Sequence, residues 1–525
     1  MAMMRRKAQG RTPLRVAGLF AGVGGIELGL ERAGHLTRLV CENDPAASAV
    51  LRERFPNAVH RLNIERLKKL PPVDLVTAGF PCQDLSQAGR SVGIGGSKSG
   101  LITHVLRLLQ TNSDPDWVLL ENVPFMLQLD RGRAMSWLTG QFEALGYSWA
   151  YRTVDTRSFG LPHRRRRVIF LASKRFDPSC VLFVDDVDTA KRKEASPTAF
   201  GFYWTEGNTG LGWARDCVPT LKGGSGLGIP SPPAIWIPEK NEIGVPAISD
   251  GERLQGFPKD WTKVRLGSMP LSAGARWRLV GNAVSVPVAE WIGKRLGDPG
   301  RFDLSRCQPL DGQDKWPTSA SGVARKKWRI DIGEFPVSSV TIPLRDFLEE
   351  ELQPLSLRAA RGFLDRFERS NLRKDRLFIE ALRTFVRRRE ELVPPSPTTR
   401  RKMKSVAQFG TKIEVDLVKA LRSSRFTFEE NVRVVPDLTT KPDIVFRRRR
   451  VAVYLDGCFW HSCPHHSSPP RSNSGFWEEK LSRNVERDQA NTKALQERGW
   501  KVIRLWGHQS TDEMFRTVER ALKAG

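Results

Sequence analysis

The sequence predicts an α/β protein in two parts: a doubly wound parallel sheet interrupted by a small inserted domain, then a second, smaller α/β domain. Three observations lead there. From Leu14 onward, short apolar runs alternate with helical stretches. Between about 175 and 275 that rhythm gives way to a stretch rich in Gly, Pro and Trp. After Val393-Pro394-Pro395-Ser396-Pro397, a linker by composition, the alternation resumes.

Residues 1–13 read as a disordered basic start. The apolar runs Leu14 to Phe20, Leu36 to Glu42, Asp74 to Ala78, Trp117 to Glu121 and Arg167 to Ala172 read as buried strands. Their near-continuous apolar character, with helical patterns between them, argues for a parallel sheet covered on both faces. The first domain is expected over 14–298, with one more helix after Gly281. Residues 299–397 read as a partly helical connector, charged and helical from about Pro343 to Leu392. The last domain, 398–525, should hold a helix at Glu414 to Arg422 and strands at Asp443 to Phe446 and Val451 to Leu455. A long helix, Phe476 to Gly499, and a strand, Lys501 to Trp506, follow.

The 525 residues carry a formal net charge of +26. A chain this basic fits a nucleic-acid partner, because Lys and Arg neutralise phosphates and release counterions. Arginine runs stand at Arg164 to Arg167 and Arg447 to Arg450. No apolar run approaches the roughly 20 residues a membrane helix needs, and no apolar segment follows the basic start. Seven cysteines are too few and scattered for a disulfide framework. A reduced, cytoplasmic, nucleoid-associated protein with no membrane partner is the expectation.

Phe20-Ala21-Gly22-Val23-Gly24-Gly25 follows a strand and opens a helix, where glycines let backbone approach a nucleotide-like ligand or simply make a tight turn. Glu42 ends the next strand, where an acid meets ribose hydroxyls or is a surface carboxylate. Cys82, in Gly79-Phe80-Pro81-Cys82-Gln83, lies just past a strand end: a nucleophile where its surroundings favour thiolate, otherwise a small buried apolar group. Glu121, in Glu121-Asn122-Val123, is either an acid at the same sheet edge or a cap for the next helix.

These motifs, with Phe159-Gly160-Leu161-Pro162-His163-Arg164-Arg165-Arg166-Arg167 and Gly281-Asn282-Ala283-Val284, resemble in content and order the DNA (cytosine-5) methyltransferases, from Leu14 to about Val288. The resemblance implies a Rossmann-like methyltransferase sheet with the target-recognition domain inserted at about 175–275, and S-adenosylmethionine as cofactor. It implies that Cys82 attacks carbon 6 of a cytosine flipped out of double-stranded DNA. Glu121 then holds or protonates ring nitrogen 3, Arg165 grips the base oxygen, and Arg167 supports the site. Phe20, Gly22, Gly24, Glu42 and Asn282 would surround the cofactor. Gly93 to Gly100 resembles the loop that closes over the base. Pro219-Thr220-Leu221 falls in the recognition region, and Leu254-Gln255-Gly256-Phe257-Pro258 resembles the motif that supports it. Two positions depart from the family. His163 stands where Gln is usual, and Asn63 where Asp is common; Asn63 still accepts a hydrogen bond and stays among the cofactor candidates.

At the other end, Asp443, Glu414, His461 and Asp488 fall on adjacent elements. Carboxylates and a histidine so placed hold Mg²⁺ and activate water against a phosphate, or are separate surface charges. Cys458, Cys463, His465 or His466, and His508 form a candidate zinc set. Phe459 and Trp460 are core residues or wedges between base pairs. The stretches Lys441-Pro442-Asp443, Asp456-Gly457-Cys458-Phe459-Trp460-His461, Phe476-Trp477 and Asn484-Val485-Glu486-Arg487-Asp488 resemble the very short patch repair (Vsr) endonucleases over 398–512. That resemblance implies a restriction-endonuclease-like fold and Mg²⁺-dependent nicking at T·G mismatches. Asp443 would bind the metal and His461 activate water. Glu414 and Asp488 would orient the water or His461. Met403, Phe459 and Trp460 would intercalate, and Cys458, Cys463, His466 and His508 would hold structural zinc. Leu455 and Asp456 replace residues that are polar in some members. Mismatch-repair proteins are possible further partners; oligomeric state is open. The readings left standing beside this one are a single-chain restriction–modification enzyme, an RNA cytosine methyltransferase, and a mismatch-binding module with an inactive nuclease.

Overall fold

The computed structural model describes residues 12–80, 100–111, 115–188, 196–208, 210–224, 232–311, 315–391, 412–424, 426–435, 438, 440–458, 461, 463–466 and 474–523. Cys82, Met403, Phe459, Trp460 and most of the Gly93 to Gly100 stretch lie outside them. The chain divides into two units, Met1–Leu382 and Arg383–Gly525.

The first unit is built on strands β1 (Arg15–Leu19), β2 (Leu36–Cys41), β3 (Val59–Arg61), β4 (Leu75–Gly79), β5 (Trp117–Asn122), β6 (Ser148–Asp155) and β7 (Arg166–Ser173). Their spatial order is β6-β7-β5-β4-β1-β2-β3. Alternate residues of the central strands enter opposite apolar layers. Ala17, Val76 and Val118 lie in one, Val16, Leu75 and Leu119 in the other. Both faces are therefore dry, as the continuous apolar runs require.

The sheet is not wholly parallel. β3-β2-β1-β4-β5 are parallel, but β7 runs antiparallel to both β5 and β6. The sequence reading missed β6, and without it no reversal was expected. The reversal brings the start of β7, with its arginines, to the edge where the parallel strands end. Three more strands, Ser319–Val323, Lys326–Ile330 and Cys307–Pro309, extend the sheet beyond β6. Residues expected to connect two domains are thus edge strands of the first.

The inserted sheet is antiparallel, in the order Ala214–Arg215, Phe200–Phe202, Ala234–Ile237, Glu242–Val245, Gln353–Pro354. Its last strand also comes from the expected connector. The helix Leu357–Arg369 follows, and Arg376–Glu391 runs across the division between the units. Phe363 and Phe378 pack on Phe202 at ring-centroid distances of 5.2 and 4.9 Å. Buried aromatic contacts of this kind add about 0.5–1.5 kcal/mol beyond area burial. The expected inserted domain also begins late: Val181, Leu182 and Phe183 still pack against the main sheet.

Helix α1 (Gly25–Arg32) enters from left-handed Gly22 and Gly24, with φ of 57° and 81°. A Cβ on Gly25 would stand 2.4 Å from the Val284 carbonyl, and one on Gly29 2.5 Å from that of Val286. α1 therefore packs backbone to backbone on residues 284–286, an approach only glycine permits.

The second unit holds a four-stranded sheet among the described residues, in the order Glu429–Glu430, Ile444–Phe446, Val451–Asp456, Lys501–Trp506. Val451–Asp456 pairs antiparallel on one side and parallel on the other. Helices Lys412–Ser423 and Thr511–Lys523 cover one face through Leu417, Leu421, Met514 and Val518. Helix Ser474–Glu497 brings Leu495 to Val445, Ala452 and Tyr454 on the other. No helix among the described residues is long and apolar enough to cross a membrane.

Candidate active sites

In the first unit the parallel strands deliver their motifs to one sheet edge, where loops of such folds build sites. Glu42 follows β2. Its Oε2 accepts from the Gly22 N–H and its Oε1 from the Asp44 N–H, both at 2.8 Å. It so fixes the left-handed glycine turn. A Cβ built on Gly22 would meet nothing within 4 Å, so that turn faces open space a ligand can occupy. Phe20 is itself left-handed, at φ 53°. Asn63 is exposed, and its Oδ1 accepts from the Glu65 N–H at 2.7 Å. Asn282 is exposed at the end of the helix Ala273–Asn282.

Phe80 is the last described residue before Cys82, and its carbonyl accepts from Asn122 Nδ2 at 3.0 Å. The segment leading to Cys82 is thus pinned to the residue beside Glu121. Glu121 pairs in register with Gly79 on one side and Ile169 on the other. It is 8% exposed and lies 2.9 Å from Arg167 Nε. Oε1 nevertheless lacks a well-aligned hydrogen bond, so we read the contact as an ion pair. Burial pulls the Arg167 guanidinium below its usual range, and Glu121 opposes that pull.

Arg165, expected at the base oxygen, is held by backbone carbonyls. It is 2% exposed, and its Nη2 donates to the Ala283 carbonyl at 2.6 Å. Nη1 reaches the Gly281 and Leu221 carbonyls, each at 3.4 Å. Both terminal nitrogens are thus engaged by backbone, and the buried Nε has no partner. Burial first, then the Arg167 charge, push this guanidinium well down. Arg167, not Arg165, stands against Glu121.

His163 is fully buried. Its Nε2 accepts from the Leu221 N–H at 3.1 Å, so Nδ1 carries the proton and donates to the Leu254 carbonyl at 3.0 Å. Burial, reinforced by Arg165, holds its pKa well below the usual value. The ring is neutral.

In the second unit, Asp443 begins the strand Ile444–Phe446, and its Oδ2 accepts from the Leu455 N–H at 2.7 Å. Burial raises its pKa to about 6, and the Glu414 and Asp456 charges add to that. His461 is hydrogen-bonded through Nδ1 to Asp488 and lies 3.4 Å from Asp456 Oδ1. Arg504, missed in the sequence, donates from Nη2 to Asp456 Oδ1 at 2.7 Å, also binds Oδ2, and lies 3.3 Å from Asp488. Its guanidinium covers the Tyr454 ring at 4.9 Å. Arg504 and Tyr454 are register partners on adjacent parallel strands, a pairing no local sequence pattern shows.

Cys458 Sγ is 3.3 Å, and Cys463 Sγ 3.6 Å, from His508 Nδ1, with Cys463 Sγ 3.8 Å from His466 Nδ1. A tetrahedral zinc with ordinary Zn–S and Zn–N bonds sets its ligand atoms about 3.3–3.8 Å apart. His465 stands next to this group, its ring 6.3 Å from that of His508.

Comparison with known proteins decides the families. A profile described as C-5 cytosine-specific DNA methylase matches residues 14–197. The Type II methyltransferase M2.BsuMI of Bacillus subtilis is 47% identical over 379 residues, covering 70% of this chain and 97% of that protein. A second profile, DNA mismatch endonuclease Vsr, matches residues 396–467. The Type II nicking enzyme V.NaeI of Lentzea aerocolonigenes is 40% identical over 120 residues, covering 22% of this chain and 72% of that protein. The chain belongs to the C-5 cytosine-specific DNA methylases and carries a Vsr-like endonuclease domain. Among solved structures, the Dnmt2 methyltransferase of S. pombe aligns over 54% of this chain and 98% of its own, at 16% identity and a TM-score of 0.41. The methylase therefore acts on DNA cytosine, and its family implies S-adenosylmethionine. The open glycine turn and the twice-bonded Glu42 suit that cofactor.

Proposed function

We propose that the methylase unit works through Cys82, Glu121 and Arg167, and that the second unit nicks DNA at T·G mismatches arising where the first has methylated. The Cys82 thiolate adds to carbon 6 of the flipped cytosine. Glu121 holds ring nitrogen 3 and relays to it a proton taken up from solvent as the bond forms, so the base becomes a neutral enamine rather than an anion. Arg167 holds the Glu121 carboxyl in place and presents a donor to the base oxygen, where charge gathers. Arg165 braces the wall formed by Gly281 to Ala283. S-adenosylmethionine, held by Phe20, Gly22, Gly24, Glu42 and Asn282, supplies the methyl group. Water then takes the carbon 5 proton, the carbon 5–carbon 6 double bond re-forms as Cys82 leaves as thiolate, and the nitrogen 3 proton returns through Glu121 to solvent.

The observation that carries the second reading is the His461–Asp488 pair beside Asp443 and Asp456. Asp488 accepts a hydrogen bond from Nδ1–H, leaving Nε2 as the base toward water, the relation of base to orienting acid in hydrolytic triads. Asp443, with Glu414 beside it, is the holder for a divalent cation, which would neutralise charge at the scissile phosphate. Met403, Phe459 and Trp460 open the base step. Cys458, Cys463, His466 and His508 hold a zinc that keeps the His461 segment in place. Deamination of 5-methylcytosine leaves thymine opposite guanine, so the two activities answer each other.

Bisulfite sequencing of DNA from cells expressing the chain gives the methylation site. Duplexes carrying T·G at that site are then offered with Mg²⁺. Nicking on the thymine strand, absent from T·A and unmethylated C·G duplexes, supports the reading. Cutting of unmethylated C·G duplex at that site would replace it with restriction.

A further inference from the structure

We propose that His163 is the positioning residue that registers the target-recognition segment against the catalytic arginines. This rests on the reading that Arg167 serves the base and Arg165 braces the site. His163 and Arg164 form a short parallel bridge with Val218 and Pro219. Two residues on, the Leu221 peptide is held from both sides. Its N–H donates to His163 Nε2 at 3.1 Å, and its carbonyl faces Arg165 Nη1 at 3.4 Å. The other His163 nitrogen donates to the Leu254 carbonyl at 3.0 Å, where the helix Ile248–Leu254 ends. One ring therefore joins the arginine strand, the recognition segment and that helix.

The neighbourhood has no slack. Thr220 Oγ1 donates to the Arg164 carbonyl at 2.9 Å, and Tyr203 OH to the Thr220 carbonyl at 2.7 Å. A Cβ on Gly281 would lie 2.2 Å from the Lys222 carbonyl carbon. Residues 220–222 are thus wedged between the arginine strand and the Gly281 turn that Arg165 grips. A shift of Leu221 carries Arg165 with it, and with Arg165 the wall beside the base. The clamp needs a side chain offering one donor and one acceptor about an imidazole's length apart. Neutral histidine does so in one tautomer, and a glutamine amide supplies the same pair.

The test compares His163→Gln and His163→Leu for methyl transfer at the cognate site and at sites one base away. S-adenosylmethionine affinity and thermal unfolding are followed alongside. His163→Leu should lose about 10–100-fold in kcat, as ångström-scale misplacement does, and should narrow the ratio of cognate to near-cognate transfer. Cofactor affinity should hold. His163→Gln should restore both rate and ratio. A folded His163→Leu protein with unaltered rate and ratio overturns the inference, as does a folded His163→Gln that fails to rescue. If His163→Leu does not fold, Thr220→Val removes the adjacent bond at a half-buried position. It should narrow the ratio in the same direction, and an unchanged ratio there overturns the inference. Arg167→Gln separates the two layers: if it retains full activity, the reading of the site fails, whatever His163 does.

Discussion

The two sites mix acids and bases in opposite proportions. In the methylase, Glu121 faces Arg167 with Arg165 behind it and a neutral His163 beyond. In the endonuclease domain, Asp456 and Asp488 flank His461 and Arg504, and Asp443 feels the charges of Asp456 and Glu414. The first pairs one buried acid with an arginine, and the second pairs a histidine and an arginine with two aspartates. An ionised group taken out of water needs a partner of opposite sign, and the two sites supply it in opposite proportions.

The comparison breaks most sharply at the nucleophile. Cys82→Ala should abolish methyl transfer, by on the order of 10⁴-fold or more, with DNA binding intact in a shift assay and nicking unaffected. Measurable transfer by that variant would remove Cys82 as the attacking group. His461→Ala should lower nicking about 10²–10⁴-fold while tritiated methyl incorporation stays at the parent level. Joint loss of both activities would mean that the sites are not independent.

Arg167→Gln should cost about 10²–10³-fold in kcat, and it also leaves the buried Glu121 carboxylate without its cation. Breaking such a pair costs about 3–5 kcal/mol, so the melting of the first unit should fall as well. Arg165→Lys tests the contrast within the pair. A lysine gathers its donors at one point and lacks the planar fork that spans the separate carbonyls, so it should weaken the brace yet leave Glu121 paired. If it matches Arg167→Gln in kcat and exceeds it in effect on base affinity, the roles of the two arginines are reversed.

The smallest effect concerns Asp443. Its folded pKa, about 6, lies above the 3.8 of an unperturbed Asp. The folded state then holds the proton more tightly than the unfolded chain. Stability of the second unit should therefore fall as pH rises from about 4 to 6 and stay low above that. With chelator present, Asp443→Asn should remove that slope and add roughly 1–3 kcal/mol at neutral pH. Millimolar Mg²⁺ should restore the parent protein above pH 6 and leave the variant unmoved. Equal stabilisation of both would place the cation elsewhere.

Much of this was readable from the sequence, for identifiable reasons. Central strands such as Leu75–Gly79 and Trp117–Asn122 are buried on both faces, and their continuous apolar runs disclosed them. β6 reads Ser-Trp-Ala-Tyr-Arg-Thr-Val-Asp. Its buried Arg152 bonds the Leu182 and Gly333 carbonyls and pairs with Asp186, so a core position is disguised as a polar one. Asp130 and Arg131 adopt left-handed backbone after the Glu121 motif, and no glycine marks either position. The motif residues were legible singly, but the different placement of Arg165 and Arg167 was not. It depends on β7 running antiparallel, and no local pattern declares strand direction. Arg504 was hidden for a similar reason: its partners Asp456 and Asp488 lie far away in sequence.

The backbone of residues 283–286 meets two separate parts of the methylase. The Ala283 carbonyl holds Arg165, and the Val284 and Val286 carbonyls lie under Gly25 and Gly29 of the helix that opens from the cofactor turn. On the proposed reading, cofactor and base meet two sides of this one stretch. A ligand that settles it for its own site then settles it for the other. Linkage makes the effect mutual: the factor by which DNA sharpens cofactor affinity must equal the factor by which cofactor sharpens DNA affinity.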